Sequence, residues 1–177
     1  MDFKFSEEQE ALRQRLRALG QEKLIPKRAL YEDKEEYPPD LIEFLRKEEL
    51  FRYFTPQEYG GFGISSVNVC IIREELCRAC VAAELLPIMQ GISSYPITVY
   101  GTEEQKKKYL PPLVQGEKFA SFCLTEPGAG SDVAGIAATA RLEGDAYVLN
   151  GEKIYVAHHE YSEIFIVFAK TAPELKG

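Results

Sequence analysis

The sequence predicts an α+β fold: an all-helical N-terminal domain followed by an antiparallel β-domain. Two observations predict it. Apolar residues recur at helical spacing from the N-terminus to about Gly116. After Lys118 the period becomes that of strands, in "KFASFCLT", "AATARLEG", "AYVLNGEKIYVA" and "EIFIVFAKT", which are rich in aromatic and β-branched residues and parted by turn signals. A linker between Pro111 and Lys118 divides the 177 residues into a helical domain over 1–116 and a β-domain over 117–177.

Ser6 and Gln9 form a capping box, and Leu12, Leu16 and Leu19 then repeat until Pro26 closes the first helix. Pro38 and Pro39 suit the first turn of a second helix, "DLIEFLRKEEL", with Leu41, Ile42 and Leu45 on one face. "TPQEYGGFGISS" breaks the pattern as a loop, and Ser65 or Ser66 caps a long helix carrying Val69, Ile72, Leu76 and Cys80. A further helical stretch lies between Pro87 and Tyr100. Thr102 with Gln105 caps another, which stops near Pro111. Gly144-Asp145 and Asn150-Gly151 both read as hairpin turns, the second the stronger, within four or five mostly antiparallel strands.

Composition excludes several classes. A 45% hydrophobic and 28% charged content is that of a globular protein. The net charge of -7 and the lack of a dense basic stripe argue against nucleic acid as a partner. Lys106-Lys107-Lys108 lies beside Glu103 and Glu104 as a solvated helix face. No apolar run approaches the roughly 20 residues of a membrane span, and the acidic start resembles neither a secretory signal nor a transit peptide, so the expected setting is cytoplasmic. Cys77 and Cys80 form C-x-x-C on a helical pattern without a preceding strand or further ligands. Reduced, mostly buried thiols are therefore expected, with no metal site.

The segment with most chemical character is "CLTEPGAGSD", Cys123 to Asp132. A strand there delivers a tight turn whose Gly128 and Gly130 expose backbone N–H groups to a ligand. The glycine spacing does not match G-x-G-x-x-G, so no Rossmann fingerprint is present. His158, His159 and Glu160 do not make a metal site either. Strand alternation puts His158 and Glu160 on one face and His159 on the other.

"FASFCLTEPGAGSDVAGIAATA", then "DAYVLNGEKIYVA", then "EIFIVFAKT", preceded by "TPQEYGGFGISS" and "YGTEEQKKKYLPPLVQGEKFASFCLTEP", resembles the acyl-CoA dehydrogenase family in order across essentially the whole chain. The resemblance implies a fold of a helical domain, a β-barrel domain that is incomplete here, and a C-terminal four-helix bundle absent from this chain. It implies FAD as cofactor. Residues 122–131 would lie against the isoalloxazine ring, with Phe122, Cys123, Leu124, Thr125, Gly130 and Ser131 contributing. Backbone groups around Leu124 and the hydroxyl and amide of Thr125 would hydrogen-bond the pyrimidine edge, Pro127 would rigidify the turn, and Ser131 would edge the acyl-CoA channel. Tyr155, Val156 and Ala157 would form the second cofactor-facing segment.

In the family that second segment carries a tryptophan where this sequence has Tyr155, and a hydroxyl residue that reaches flavin N5 where it has Ala157. Loss of one neutral hydrogen bond is worth about 0.5–1.5 kcal/mol. The implied reaction is α,β-dehydrogenation of an acyl-CoA thioester, with hydride passing to flavin N5 and electrons to an electron-transferring flavoprotein. The base is a glutamate of the bundle, so no catalytic residue is assigned here, and Glu126 belongs to the turn scaffold. Residues 88–100 read as core rather than as acyl-cavity wall. A homo-oligomer is implied for the full-length protein. The alternatives are a non-catalytic subunit of the same family that needs a partner chain, and an acyl-CoA oxidase or related flavoenzyme.

Overall fold

The computed structural model describes residues 4–33 and 37–172. The chain forms two compact units, Met1–Lys118 and Phe119–Gly177.

The first unit is helical. Helix α1, Glu7–Leu19, opens on the reciprocal Ser6–Gln9 capping box. Pro26 does not end the helical path as the sequence predicts. The chain passes through a π turn, Gly20–Leu24, and a 3-10 turn, Ile25–Lys27, into α2, Arg28–Glu32. Pro26 occupies the first turn of the 3-10 segment, where its fixed φ suits the tighter path. Helix α3, Pro39–Lys47, begins at its proline and buries Leu41 and Leu45. Ser65 caps α4, Ser66–Ala79.

Cys80 turns to an extended φ of -162° and separates α4 from α5, Val81–Tyr100. Helix α5 contains both Pro87 and Pro96, where the sequence predicts a start at Pro87. Each proline removes a backbone hydrogen bond. Burial of Ala83, Leu86, Pro87 and Ile88 on either side of the first break outweighs it, at about 1.5–3 kcal/mol for each large side chain. Helix α6, Glu103–Val114, has its own capping box at Thr102–Gln105 and runs through Pro111 and Pro112 instead of stopping there. The carbonyls of Lys107 and Lys108, which those prolines cannot serve, belong to exposed residues that water can solvate.

Several buried polar groups inside this unit are paired. Glu75, 2% exposed, accepts from Arg17 at 2.6 Å and from Arg13 at 3.3 Å, which ties α1 to α4. The Arg17 guanidinium, opposed in part by burial, holds the Glu75 carboxyl below its ordinary range. Gln90 donates to the carbonyls of Leu113 and Lys118 at 3.2 and 2.8 Å. Of the four free thiols, Cys80 and Cys123 are buried while Cys70 and Cys77 are exposed, so fewer are buried than the sequence predicts.

The second unit holds four short strands in two sheets and no closed barrel among the described residues. Strands β2, Thr139–Glu143, and β3, Ala146–Asn150, pair antiparallel through the Gly144-Asp145 turn, where Gly144 takes a φ of 65°. Asn150-Gly151, the stronger hairpin signal in the sequence, is not a turn between strands. Gly151 passes so close to Ala138 that an added Cβ would stand 2.6 Å from the alanine Cβ, so this glycine serves a chain crossing. Strands β1, Phe119–Cys123, and β4, Ser162–Val167, pair in parallel, which corrects the mostly antiparallel expectation. Residues 124–161 form the long connection that parallel pairing requires. The two sheets meet where Ala140 N–H donates to Lys170 O at 2.9 Å and Lys170 N–H to Ala138 O at 2.8 Å.

Residues 157–161 form a turn, so the strand alternation expected for His158, His159 and Glu160 does not apply. No group of three His, Cys, Asp or Glu side chains able to hold a metal occurs among the described residues. No described helix is long and apolar enough to cross a membrane.

Candidate functional site

Strand β1 ends at Cys123, whose carbonyl accepts from Phe168 N–H at 3.1 Å, and the chain leaves the sheet at Leu124. Phe122 packs on Phe168 with ring centroids 4.9 Å apart. Burial pushes the Cys123 thiol up, which keeps it protonated and inert. Glu126 and Ala129 then exchange both backbone hydrogen bonds, at 3.0 and 3.1 Å, around Pro127-Gly128. Proline at the first central position presets that reversal.

Gly130 and Ser131 follow at the surface. Neither Gly128 nor Gly130 has a positive φ, and a Cβ added to either meets nothing within 4 Å. The chain's own backbone and packing therefore do not demand glycine at these two places. Open space above a glycine is what a closely approaching ligand requires.

The second segment, residues 151–157, lies alongside this turn. Ile154 N–H donates to Thr125 O at 2.9 Å. Lys153 Nζ donates to Leu124 O at 2.9 Å and to Glu126 Oε1 at 2.6 Å. The Glu126 carboxylate also accepts from the N–H groups of Ala137 and Ala138 at 2.5 and 3.0 Å. Those donors, with the Ala137 amide foremost and the Lys153 ammonium next, pull the Glu126 carboxyl down to about 2. A carboxylate so fully engaged holds the turn together through its hydrogen bonds.

Beyond Ile154 the backbone enters a left-handed stretch. Tyr155 and His158 have φ values of 55° and 61°, unusual for non-glycine residues. The Tyr155 ring is left 88% exposed. Ser121 Oγ and Ser162 Oγ bind the carbonyls of Ala157 and His158 at 2.8 and 2.9 Å and hold this stretch in place.

The structure thus brings Leu124 and Thr125 beside residues 153–155, while Gly130 and Ser131 lie at the open end of the turn. The N–H groups of Leu124 and Thr125 and the Thr125 hydroxyl make no hydrogen bond to another described residue. These unspent donors, two open glycines and an exposed aromatic ring fit a planar heteroaromatic ligand with acceptors on one edge. The sequence reading missed Lys153, Ser121 and Ser162. Lys153 and Ser121 act on partners 27 or more positions away, and Ser162 joins Ser121 41 positions away besides its local bond to His158 O, so no local pattern records them as a set.

The family model for the acyl-CoA dehydrogenase N-terminal domain matches residues 6–117, and that for the acyl-CoA dehydrogenase middle domain matches residues 121–177. The chain belongs to the acyl-CoA dehydrogenase family. Among curated relatives, the 3-(aryl)acrylate reductase of Clostridium sporogenes is 39% identical over 168 residues, 94% of this chain and 45% of that protein. The short-chain specific acyl-CoA dehydrogenase of Clostridium acetobutylicum is 36% identical over 172 residues, 97% of this chain and 45% of that protein. The chain therefore spans about half the length of these relatives.

Solved structures agree with this membership. An acyl-CoA dehydrogenase from Bacillus anthracis complexed with FAD superposes with a TM-score of 0.82 at 37% identity, covering 94% of this chain and 29% of that one. A glutaryl-CoA dehydrogenase in complex with glutaryl-CoA superposes with a TM-score of 0.90 at 30% identity, covering 99% of this chain and 46% of that one. Tyr155, with its positive φ, and Ala157, whose carbonyl Ser121 binds, are the two positions where the sequence reading expects a departure from the family.

Proposed function

We propose that this chain is the N-terminal and middle portion of an FAD-dependent acyl-CoA dehydrogenase, with the flavin ring against residues 122–131 and 155–157. The observation that carries the reading is the set of donors on Leu124 and Thr125 that the fold leaves without partners beside two glycines it does not need.

FAD, when bound, supplies a two-electron acceptor for the carbon–carbon oxidation. The residues of this chain bind and orient it. The amides of Leu124 and Thr125 and the Thr125 hydroxyl would hold the pyrimidine edge, where N–H donors stabilise negative charge. Tyr155 offers an aromatic face, and its ring replaces the larger indole expected in the family. Ser131 borders the acyl-CoA thioester. Ala157 brings no side-chain donor, so only backbone groups of this segment are available to the ring. The proton-abstracting carboxylate comes from outside these residues, and an electron-transferring flavoprotein is the fitting oxidant for the reduced cofactor.

The 39% identity to the 3-(aryl)acrylate reductase favours a second reading, hydrogenation of an unsaturated aryl acid derivative on the same flavin surface. Both readings require FAD. The test is the visible spectrum of the 177-residue chain after incubation with FAD and removal of free cofactor. Retained flavin absorbance is expected. A colourless protein contradicts both readings for this chain.

A further inference from the structure

The Lys153–Glu126 pair is an unusual investment for a hairpin-sized unit. Its side chains are only 10% and 5% exposed, and it joins three stretches of backbone: Leu124 through its carbonyl, Ala137 and Ala138 through their amides, and residue 153 itself. Taking two charges out of water carries a desolvation cost, and a brace between loops could be made from apolar side chains instead. What an apolar brace cannot do is place a positive charge on one chosen carbonyl.

That carbonyl is Leu124 O, 2.9 Å from Lys153 Nζ. The peptide group that owns it ends in the N–H of Thr125, which has no partner among the described residues. A hydrogen bond accepted at the oxygen of a peptide strengthens the donor at its nitrogen, because each polarises the other. Glu126 Oε1 accepts a second bond from the ammonium at 2.6 Å and so fixes where the lysine points.

We propose that Lys153, held by Glu126, is a positioning residue for the flavin. Its ammonium orients the Leu124–Thr125 peptide and strengthens the Thr125 N–H as a donor to the reduced, more negative cofactor. The inference rests on the FAD reading above. It goes further by assigning the cofactor's electron affinity to a residue that does not touch it.

The test uses the 177-residue chain with FAD, its Lys153→Met and Glu126→Gln variants, the flavin reduction potential, and cofactor-free thermal unfolding as a check on folding. Lys153→Met removes the charge from Leu124 O. The affinity for reduced relative to oxidised FAD is expected to fall about tenfold, which for a two-electron couple is a potential lower by about 30 mV. Glu126→Gln removes the neutralising carboxylate and keeps the ammonium, so the potential is expected to rise. Opposite signs support the inference, since a loosened fold moves both variants the same way. Should Lys153→Met fail to fold, the sign in Glu126→Gln decides alone. Unchanged potentials, or shifts of one sign with FAD still bound, overturn the positioning role and leave the FAD reading standing. An unmodified chain that binds no FAD overturns both at the first step.

Discussion

Ser121 Oγ stands 2.8 Å from the carbonyl oxygen of Ala157, and it is completely buried. It also lies 2.8 Å from Ser162 Oγ, which in turn reaches His158 O at 2.9 Å. Two hydroxyl protons serve three contacts, so the serines act as one unit. They secure the only stretch in the second unit where described non-glycine residues, Tyr155 and His158, have positive φ.

Ser121→Ala is accordingly expected to destabilise the fold by about 1–2 kcal/mol, the cost of leaving a half-buried carbonyl without its donor. Urea unfolding measures it. The double variant with Ser162→Ala should cost less than the sum of the two single changes. Strict additivity would show that the hydroxyls do not act together.

Tyr155→Gly separates stability from binding. A bulky residue in the left-handed region carries strain of order 1 kcal/mol that glycine relieves, although glycine's greater chain entropy takes part of that back. Thermal stability should stay level or rise slightly, while FAD affinity falls through loss of the exposed ring. Equal FAD affinity in the variant contradicts the role given to Tyr155.

Acid should weaken the second unit in a defined window. The Glu126 carboxyl is lowered from its ordinary 4.5 to about 2 in the fold. Between those values the unfolded chain holds a proton that the folded chain lacks, so stability falls as pH falls. The contribution is complete above about pH 4.5 and gone once pH has dropped through about 2. Glu75, lowered first by Arg17, adds to the same trend in the helical unit. Denaturation midpoints measured from pH 6 downward should drop less steeply for Glu126→Gln than for the unmodified chain. Parallel curves would remove Glu126 from the account.

In the helical unit, Gly91 sits mid-helix where alanine is ordinarily better by about 1 kcal/mol. Here an added Cβ meets the Phe54 ring at 2.4 Å. Gly91→Ala should therefore destabilise, by about 1–3 kcal/mol of overpacking. Pairing it with Phe54→Leu should recover part of the loss in the unfolding midpoint.

How much of this was legible in the sequence depends on how local each signal is. Both capping boxes, Ser6–Gln9 and Thr102–Gln105, were readable because cap and partner are three residues apart. Pro26, Pro87 and Pro111 read as boundaries in the sequence, and the helical path runs through each of them. Whether a proline ends a helix is decided by how firmly the flanking turns are packed, which is a tertiary matter. The direction of β4 against β1 was equally hidden, since strand pattern gives burial and not polarity. Asn150-Gly151 showed that a favoured turn pair can be used for a close crossing instead, here over Ala138. The turn at residues 122–131 stands out in the sequence through family resemblance. The lysine that holds it does not, because Lys153 and Leu124 meet only after folding.

The central claim is that residues 122–131 and 155–157 form a flavin surface, and Gly130 offers a direct way to test it. Its φ is ordinary and the space above it is open, so Gly130→Ala should leave cofactor-free stability level or raise it by about 0.4–1 kcal/mol. The decisive measurement is the backbone amide NMR spectrum of the 177-residue chain and of this variant, titrated with FAD. The account predicts shifts concentrated at Leu124, Thr125, Gly130, Ser131 and residues 155–157, saturating in the unmodified chain and weakened in the variant. Shifts confined to the β2–β3 hairpin, or none at all, would contradict it.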